Sequence, residues 1–531
     1  MSPTGGLTRR QLLAYAGASG GAALLSACST RVVRARTSPS PVASPLPTPA
    51  PSSGVGLESL SAELSSPLLR PGAAEYASAA RLYNPVFDAA SQPAAIAQCR
   101  SAADVAACVR FAAARGDQSL RLRAGGHSYG GWSSGPGLVA DVRAMRSVTV
   151  DRAQRMARVG AGVRLIDLYS QLGAAGTAVA AGSCPTVGLT GLALGGGVGV
   201  LTRAYGLTCD AIQSVQLVTA DGRLREVTAR RDPDLFWALR GGGGGSFGAV
   251  TALTLAVRPS PTMHRFFLSW DSTHAEAVVR AWQRWMAHAD PRLWSTCKLL
   301  ARAQKDGLSV TVAGTWIGPA ADLRAQLQPL LAEVQARPDS QTARTAGYVS
   351  TMLSEAGCGD VGSAEECAAS ALSPARRQPF AATSAFLPSA LPEDGITAVV
   401  RAARTGLGLP GVDEAGISFD ALGGRVSAVP ADETAFAYRD ALATIQYTAT
   451  WAAAAKPSAS PASRFVEHVQ SLRSALLPWT RQTAYVNYAD PSISDYGPAY
   501  WSGHYPRLRD VKKAYDPGGL FDFPQAVRAQ A

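Results

Sequence analysis

The stretches Arg123-Ala124-Gly125-Gly126-His127-Ser128 and Gly182-Ser183-Cys184-Pro185-Thr186-Val187-Gly188 constrain this chain more than anything else in it. Each sets one nucleophilic side chain in a glycine-lined loop, and the second runs on through Gly191 to Gly195-Gly196-Gly197-Val198-Gly199. Glycines at such positions let backbone N–H groups approach a phosphate-bearing ligand without a Cβ in the way. A histidine and a cysteine held there can also bond covalently to that ligand. Alone, His127 would be a structural histidine and Cys184 a buried thiol or disulfide partner. Together they point to one site.

The flanking sequence alternates short strands, helices and glycine loops up to residue 257. Residues 94–98 have strand character, and Ser101 with Asp104 makes a capping-box-like helix start that Gly116 stops. Strands are expected over 119–123, 138–142, 147–151 and 156–159, with a helix over 163–172. From about residue 263 the rhythm changes to longer strands (265–270, 293–301, 308–317, 416–422 and 444–451) with helices near 273–289 and 320–336. A chain of 531 residues is long for one core. The expectation is an α+β fold of two lobes: a cofactor lobe over 75–260 and a substrate lobe over 261–478, an antiparallel sheet covered by helices on one face.

Two motifs invite other readings. Gly126-His127-Ser128-Tyr129-Gly130 matches the G-x-S-x-G elbow of hydrolases, which would make Ser128 a nucleophile. An elbow must run into a helix, and Gly130, Gly131, Gly135, Pro136 and Gly137 follow instead. Gly243-x-Gly245-x-x-Gly248 fits the dinucleotide fingerprint, but residues 234–240 before it read as helix where a strand is needed. The net charge of +11 raises nucleic-acid binding. Only five of the 50 basic residues are Lys, and the arginines are scattered singly, so the charge reads as solvated surface. The six histidines are far apart and no CxxC occurs, which speaks against a metal site.

The His127/Cys184 pairing resembles the berberine-bridge-enzyme-like branch of the FAD-linked oxidases, whose FAD domain is of the p-cresol methylhydroxylase and vanillyl-alcohol oxidase type. The resemblance covers roughly residues 94–525. It implies a bicovalent FAD on His127 and Cys184. It also implies flavin contacts from Arg123, Gly125, Gly126, Ser128, Tyr129, Gly182, Pro185, Thr186, Val187, Gly188, Gly191, Gly195, Gly196, Gly197, Gly199, Gly248, Val250 and Asn487. Residues 240–251 resemble a segment closing over the pyrophosphate, and 479–531 a C-terminal segment that returns to the flavin lobe. The frame Tyr485-Val486-Asn487-Tyr488 is that of the family, which uses a Tyr or carboxylate as base; this implies Tyr485 as base and Tyr488 beside the flavin. Gln446 rests on periodicity: Thr444, Gln446, Thr448 and Thr450 share one strand face, Ile445, Tyr447, Ala449 and Trp451 the other. The bulky face belongs on helices and leaves the polar face to line a cavity, with Gln446 orienting substrate.

The implied reaction removes a hydride from an alcohol, sugar or related small molecule while a protein base takes the proton, and passes electrons to oxygen to give hydrogen peroxide. Val187, three residues after Cys184, stands where the family screens the flavin from oxygen. Val198 replaces an aromatic residue frequent in plant members, so their substrate preferences do not transfer. A dehydrogenase with another acceptor would share every flavin residue. A secreted hydrolase would need Ser128, and a non-catalytic flavoprotein or solute-binding lipoprotein an inert pocket.

Residues 1–28 resemble an export signal. Thr8-Arg9-Arg10-Gln11-Leu12-Leu13 has the twin-arginine pattern, and Leu25-Ser26-Ala27-Cys28 the pattern at which Cys28 would be lipidated. Residues 29–70 are expected to be a Pro/Ser-rich tether. The membrane would then be met only through the lipid. Export permits disulfides, and the local pairs Cys99/Cys108 and Cys358/Cys367 are the expected ones, with Cys209 and Cys297 as buried thiols.

Overall fold

The computed structural model describes residues 56–116, 119–303, 305–373, 376–452 and 461–529. The export signal, Cys28 and most of the expected tether lie outside these residues. The tether ends earlier than expected. Leu57–Glu63 is a helix with Leu60 buried, and Leu68–Leu69 pairs with Ala95–Gln98. Leu57, Leu60 and Leu64 recur at helical spacing and find a core to bury against.

The first lobe holds two sheets. In one, Ala95–Gln98, Leu138–Asp141 and Arg121–Arg123 run parallel, with Leu68–Leu69 antiparallel at the edge. The helix Ala102–Arg115 between the first two strands starts on a capping box of Ser101 and Asp104 and ends at Gly116, whose φ is +64°. The second sheet is antiparallel, ordered Val148–Asp151, Met156–Gly160, Ala249–Ala256, Ile212–Val218 and Leu224–Val227.

The second lobe is one seven-stranded antiparallel sheet, ordered Ser340–Gly347, Thr262–Trp270, Ser309–Trp316, Leu293–Arg302, Val412–Ala421, Ala443–Trp451 and Phe380–Leu387. Helices Ala275–His288, Leu323–Val334, Glu393–Arg404 and Pro461–Thr480 lie along one face. Burial alternates along Ala443–Trp451: Ile445, Tyr447, Ala449 and Trp451 are buried under helices, while Gln446, Thr448 and Thr450 are half-buried on the opposite face.

Buried cations lock the lobes together. Arg203 of the first lobe donates to the carbonyls of Ala289, Leu293 and Leu422 in the second. Arg439 forms a buried ion pair with Asp210 at 2.7 Å. The C-terminal segment crosses back to the first lobe, where buried Lys512 donates to the carbonyls of Ser246 and Phe521 and pairs with Asp516.

Cys358 and Cys367 form a disulfide. Cys99 and Cys108 do not: their Sγ atoms stand 3.9 Å apart. Nine residues separate both pairs, but Cys99 directly follows the strand Ala95–Gln98 and Cys108 lies inside the helix Ala102–Arg115, so spacing alone did not set the bond. Cys209 and Cys297 are buried thiols.

Candidate functional site

The two glycine loops meet backbone to backbone. A Cβ on Gly125 would lie 2.2 Å from the amide nitrogen of Gly188, and one on Gly188 would lie 2.4 Å from that of Gly125. These glycines are therefore required first by loop–loop contact, before any ligand binds. The contact brings Thr186 to His127, Oγ1 to Nε2 at 2.9 Å. Tyr83, which the sequence reading did not single out, stacks on the imidazole at 3.8 Å. Burial pulls the His127 pKa down to about 3. The ring is thus neutral at physiological pH and keeps a lone pair for a covalent bond.

Both nucleophiles open on one cavity of about 630 Å³ between the lobes. Arg123, Gly125, Gly126, Ser128, Tyr129, Gly182, Val187, Gly188, Gly191, Gly199, Gly248, Val250 and Asn487 line it with His127 and Cys184. Val198 and the run 242–245 line it too. Pro185, Thr186, Gly195, Gly196 and Gly197 do not. Thr186 acts through His127. Gly195 makes room for the C-terminal segment, since its Cβ would lie 2.1 Å from Asn487 Oδ1. Ser128 is no elbow: its Oγ accepts from the Trp132 amide at 3.2 Å, and turns follow it, not a helix.

The opposite wall is the polar face of the seven-stranded sheet. Gln446, Thr448 and Thr450 line the cavity beside Ser418 and Asp420 of one neighbouring strand and Trp294 and Lys298 of the next. Gln446 Nε2 donates to the Tyr129 hydroxyl at 2.6 Å, and so ties this wall to the glycine loops.

The structure separates the two tyrosines of the C-terminal frame. Tyr485 is 2 % exposed and outside the cavity wall. Its hydroxyl accepts from the Gly197 amide and from Asn487 Nδ2, both at 2.8 Å, and burial pushes its pKa up. A hydroxyl so placed cannot reach a substrate, so the sequence assignment of Tyr485 as base is corrected. Tyr488 does line the cavity, stacked on Tyr129 at 5.2 Å. Burial raises its pKa first, and the nearby Asp420 charge adds to that.

Asp420 is a second residue that the sequence did not single out. It lies on Val412–Ala421, opposite Thr444, and lines the cavity with no hydrogen bond or ion pair among the described residues. Burial raises its carboxyl pKa and the charge of Lys298 partly opposes that. Its signal was available in outline: Ser418 and Asp420 alternate with the buried apolar Ile417, Phe419 and Ala421.

A dinucleotide with a ring system fits this arrangement. Gly191 lines the cavity and a Cβ there would meet no atom within 4 Å, so bare backbone faces the space. Gly243 and Gly245, at φ of +87° and +86°, continue that wall. Arg123 is buried with Nη2 lacking a hydrogen-bond partner among the described residues.

A family model for FAD binding domains matches residues 93–228, and one for berberine and berberine-like proteins matches 484–528. An uncharacterised FAD-linked oxidoreductase of Bacillus subtilis is 33% identical over 77% of this chain and 85% of its own length. The glucooligosaccharide oxidase of Sarocladium strictum is 31% identical over 81% of this chain and 86% of its own. The solved structure of a berberine-bridge-enzyme-like protein from Physcomitrella patens superposes with a TM-score of 0.80 at 28% identity, covering 90% of this chain and all of that one.

Proposed function

Because this chain belongs to the berberine-bridge-enzyme-like FAD-linked oxidoreductases, we propose that it is an oxidase of a sugar or related alcohol, with oxygen as acceptor and hydrogen peroxide as product. The observation that carries this reading is that Asp420 and Tyr488 face the same cavity as His127 and Cys184. A carboxylate, a phenol and two nucleophiles thus converge on one space, which supports this reading. The relative named glucooligosaccharide oxidase supports the hydroxyl substrate.

Bound FAD supplies the acceptor for a hydride and, once reduced, the donor of electrons to oxygen. His127 and Cys184 would hold it bicovalently. The raised basicity of Asp420 suits it to receive the substrate hydroxyl proton, directly or through Tyr488. Gln446 and Tyr129 fix the polar edge against which the substrate rests.

Val187 lines the cavity and is smaller than Leu or Ile, which favours access of oxygen. If reoxidation of the reduced protein by air is sluggish, the acceptor is another carrier and the protein is a dehydrogenase. The decisive experiment is acid precipitation followed by peptide mapping. The pellet should stay yellow, with one fragment joining the His127 and Cys184 peptides through the mass of FAD. Complete loss of flavin on denaturation sinks the bicovalent reading. Anaerobic flavin bleaching across sugars, alcohols and phenolics then tests the substrate class.

We further propose twin-arginine export and anchoring by lipid on Cys28, a setting that suits the Cys358–Cys367 disulfide. Cys28→Ala should move the protein from the membrane to the soluble fraction, and unchanged membrane association removes the claim.

A further inference from the structure

The sheet wall carries a cation that the reaction does not use. Lys298, on Leu293–Arg302, lines the cavity half-buried and has no hydrogen bond and no ion pair within 4 Å among the described residues. Glu414, the other carboxylate on this wall, is engaged by Arg302 at 3.0 Å. Directly across from Lys298 is Ser418, and beyond Ser418 in the same row is Gln446. Ser418 also lines the cavity and makes no hydrogen bond through its hydroxyl among the described residues. One row over, Asp420 pairs with Thr296 and Thr444. Lys298 and Asp420 are thus diagonal neighbours on one face, near enough for their charges to interact but not bonded.

An ammonium half out of water, with Asp420 near but no anion bonded to it, costs free energy that a bound anion recovers. A neutral sugar gives it only a hydroxyl. We propose that Lys298, with Ser418 opposite, receives a carboxylate on the substrate, so that the preferred substrates are hydroxy acids of the sugar-acid type. This rests on the reading of the cavity as a site of alcohol oxidation. The carboxylate would sit over Lys298 and Ser418, and the carbon losing hydride would lie one row away, toward Asp420 and Tyr488. The acid group then accepts from an ammonium and a hydroxyl, while the reacting hydroxyl stays beside the base.

The test uses flavin-loaded protein and matched pairs: D-glucuronate with D-glucose, D-galacturonate with D-galactose, and glucose 6-phosphate as a phosphate arm. Binding is read by calorimetry, which needs no turnover. Charge-assisted hydrogen bonds of this kind correspond to a preference of about ten- to a hundred-fold. The carboxylates should bind more tightly than their neutral partners by that factor. Lys298→Met should collapse the ratio toward one, and Lys298→Arg should restore most of it. Raising the salt should reduce the ratio in the wild type. A ratio near one in every wild-type pair overturns the assignment, as does a preference that survives Lys298→Met. A preference confined to the phosphate arm also overturns it. If a sugar acid binds with the expected preference but bleaches no flavin anaerobically, the anion site stands and the oxidase reading fails.

Discussion

The two walls of the cavity are built on opposite principles. The glycine wall is backbone: Gly125 and Gly188 touch through main-chain atoms, and Gly191 presents no side chain to the space. The sheet wall is side chain: Lys298, Ser418, Asp420 and Gln446 stand in register on adjacent strands and line the cavity. The first wall admits no side chain at Gly125 or Gly188 without parting the loops, and is suited to a cofactor that never changes. The second tolerates variation position by position and is suited to choosing a substrate. Substitutions should therefore act in two modes, all-or-none on the first wall and graded on the second.

The largest effect belongs to the glycine wall. Gly188→Ala places a methyl group 2.4 Å from the Gly125 amide nitrogen and 2.9 Å from the Ala124 Cβ. The loops must part, at a cost of about 1–3 kcal/mol from overpacking. Thr186 then moves from His127. The purified variant should carry no absorbance at flavin wavelengths, and its melting temperature should fall. A fully loaded, yellow Gly188→Ala protein would show that the loops need not touch, and the contrast between the walls would weaken.

Next come the two groups assigned to proton transfer. Asp420→Asn and Tyr488→Phe should each slow anaerobic flavin reduction by about 10² to 10⁴, with covalent flavin intact. The carboxyl of Asp420 is held above the ordinary carboxylate value of about 3.9 by burial. Its ionised form is the base, so reduction should slow as the pH falls through that raised value, and Asp420→Asn should lose this acid limb. Stability has the opposite slope. A carboxyl that binds its proton more tightly folded than unfolded favours the native state at low pH, and this contribution is lost as pH rises through the folded pKa. A wild-type profile with no acid limb would place the base elsewhere.

Legibility in the sequence followed the same division. Loops closed by backbone leave runs of glycine in the sequence, and these, with the family resemblance, pointed to Gly125, His127, Cys184 and Gly188, which line one cavity. The helix from Ser101 to Gly116 was equally plain, because a capping box and a left-handed stop are local. The polar face of Ala443–Trp451 was legible from alternation. Asp420 was not, since its importance comes from lying beside Thr296 and Thr444, residues distant in sequence. Strand Phe380–Leu387 was hidden by its alanines and serine, which have weak strand preference. Ser340–Gly347 is an exposed edge strand with no buried face to impose a pattern. Cys99 and Cys108 show the limit of spacing as an argument: the chain distance suits a disulfide, but helix and strand hold the sulfurs 3.9 Å apart.

A graded effect is expected at Gln446. Its amide donates to the Tyr129 hydroxyl at 2.6 Å, and one such bond is worth about 0.5–1.5 kcal/mol. Gln446→Ala should weaken substrate binding by about tenfold or less, with a smaller change in the reduction rate at saturating substrate. A loss of covalent flavin in this variant would mean that the sheet wall also builds the cofactor site.

The smallest effect on chemistry should come from Tyr485→Phe, although the residue lies only three positions before Tyr488. Both tyrosines are raised in pKa by burial, so titration does not distinguish them, and geometry must. The Tyr485 hydroxyl is taken up by the Gly197 amide and Asn487, against the Gly195–Gly197 turn that lies outside the cavity wall. Removing it leaves a buried amide without a partner, which costs about 1–3 kcal/mol of stability and should appear in the melting temperature. Flavin reduction should stay within about twofold of wild type, a small fraction of the loss expected for Tyr488→Phe. A Tyr485→Phe protein that melts normally but reduces its flavin a hundredfold more slowly would return the base to Tyr485. It would also mean that the Gly195–Gly197 turn opens when substrate binds, and the rigid wall would then be the mobile one.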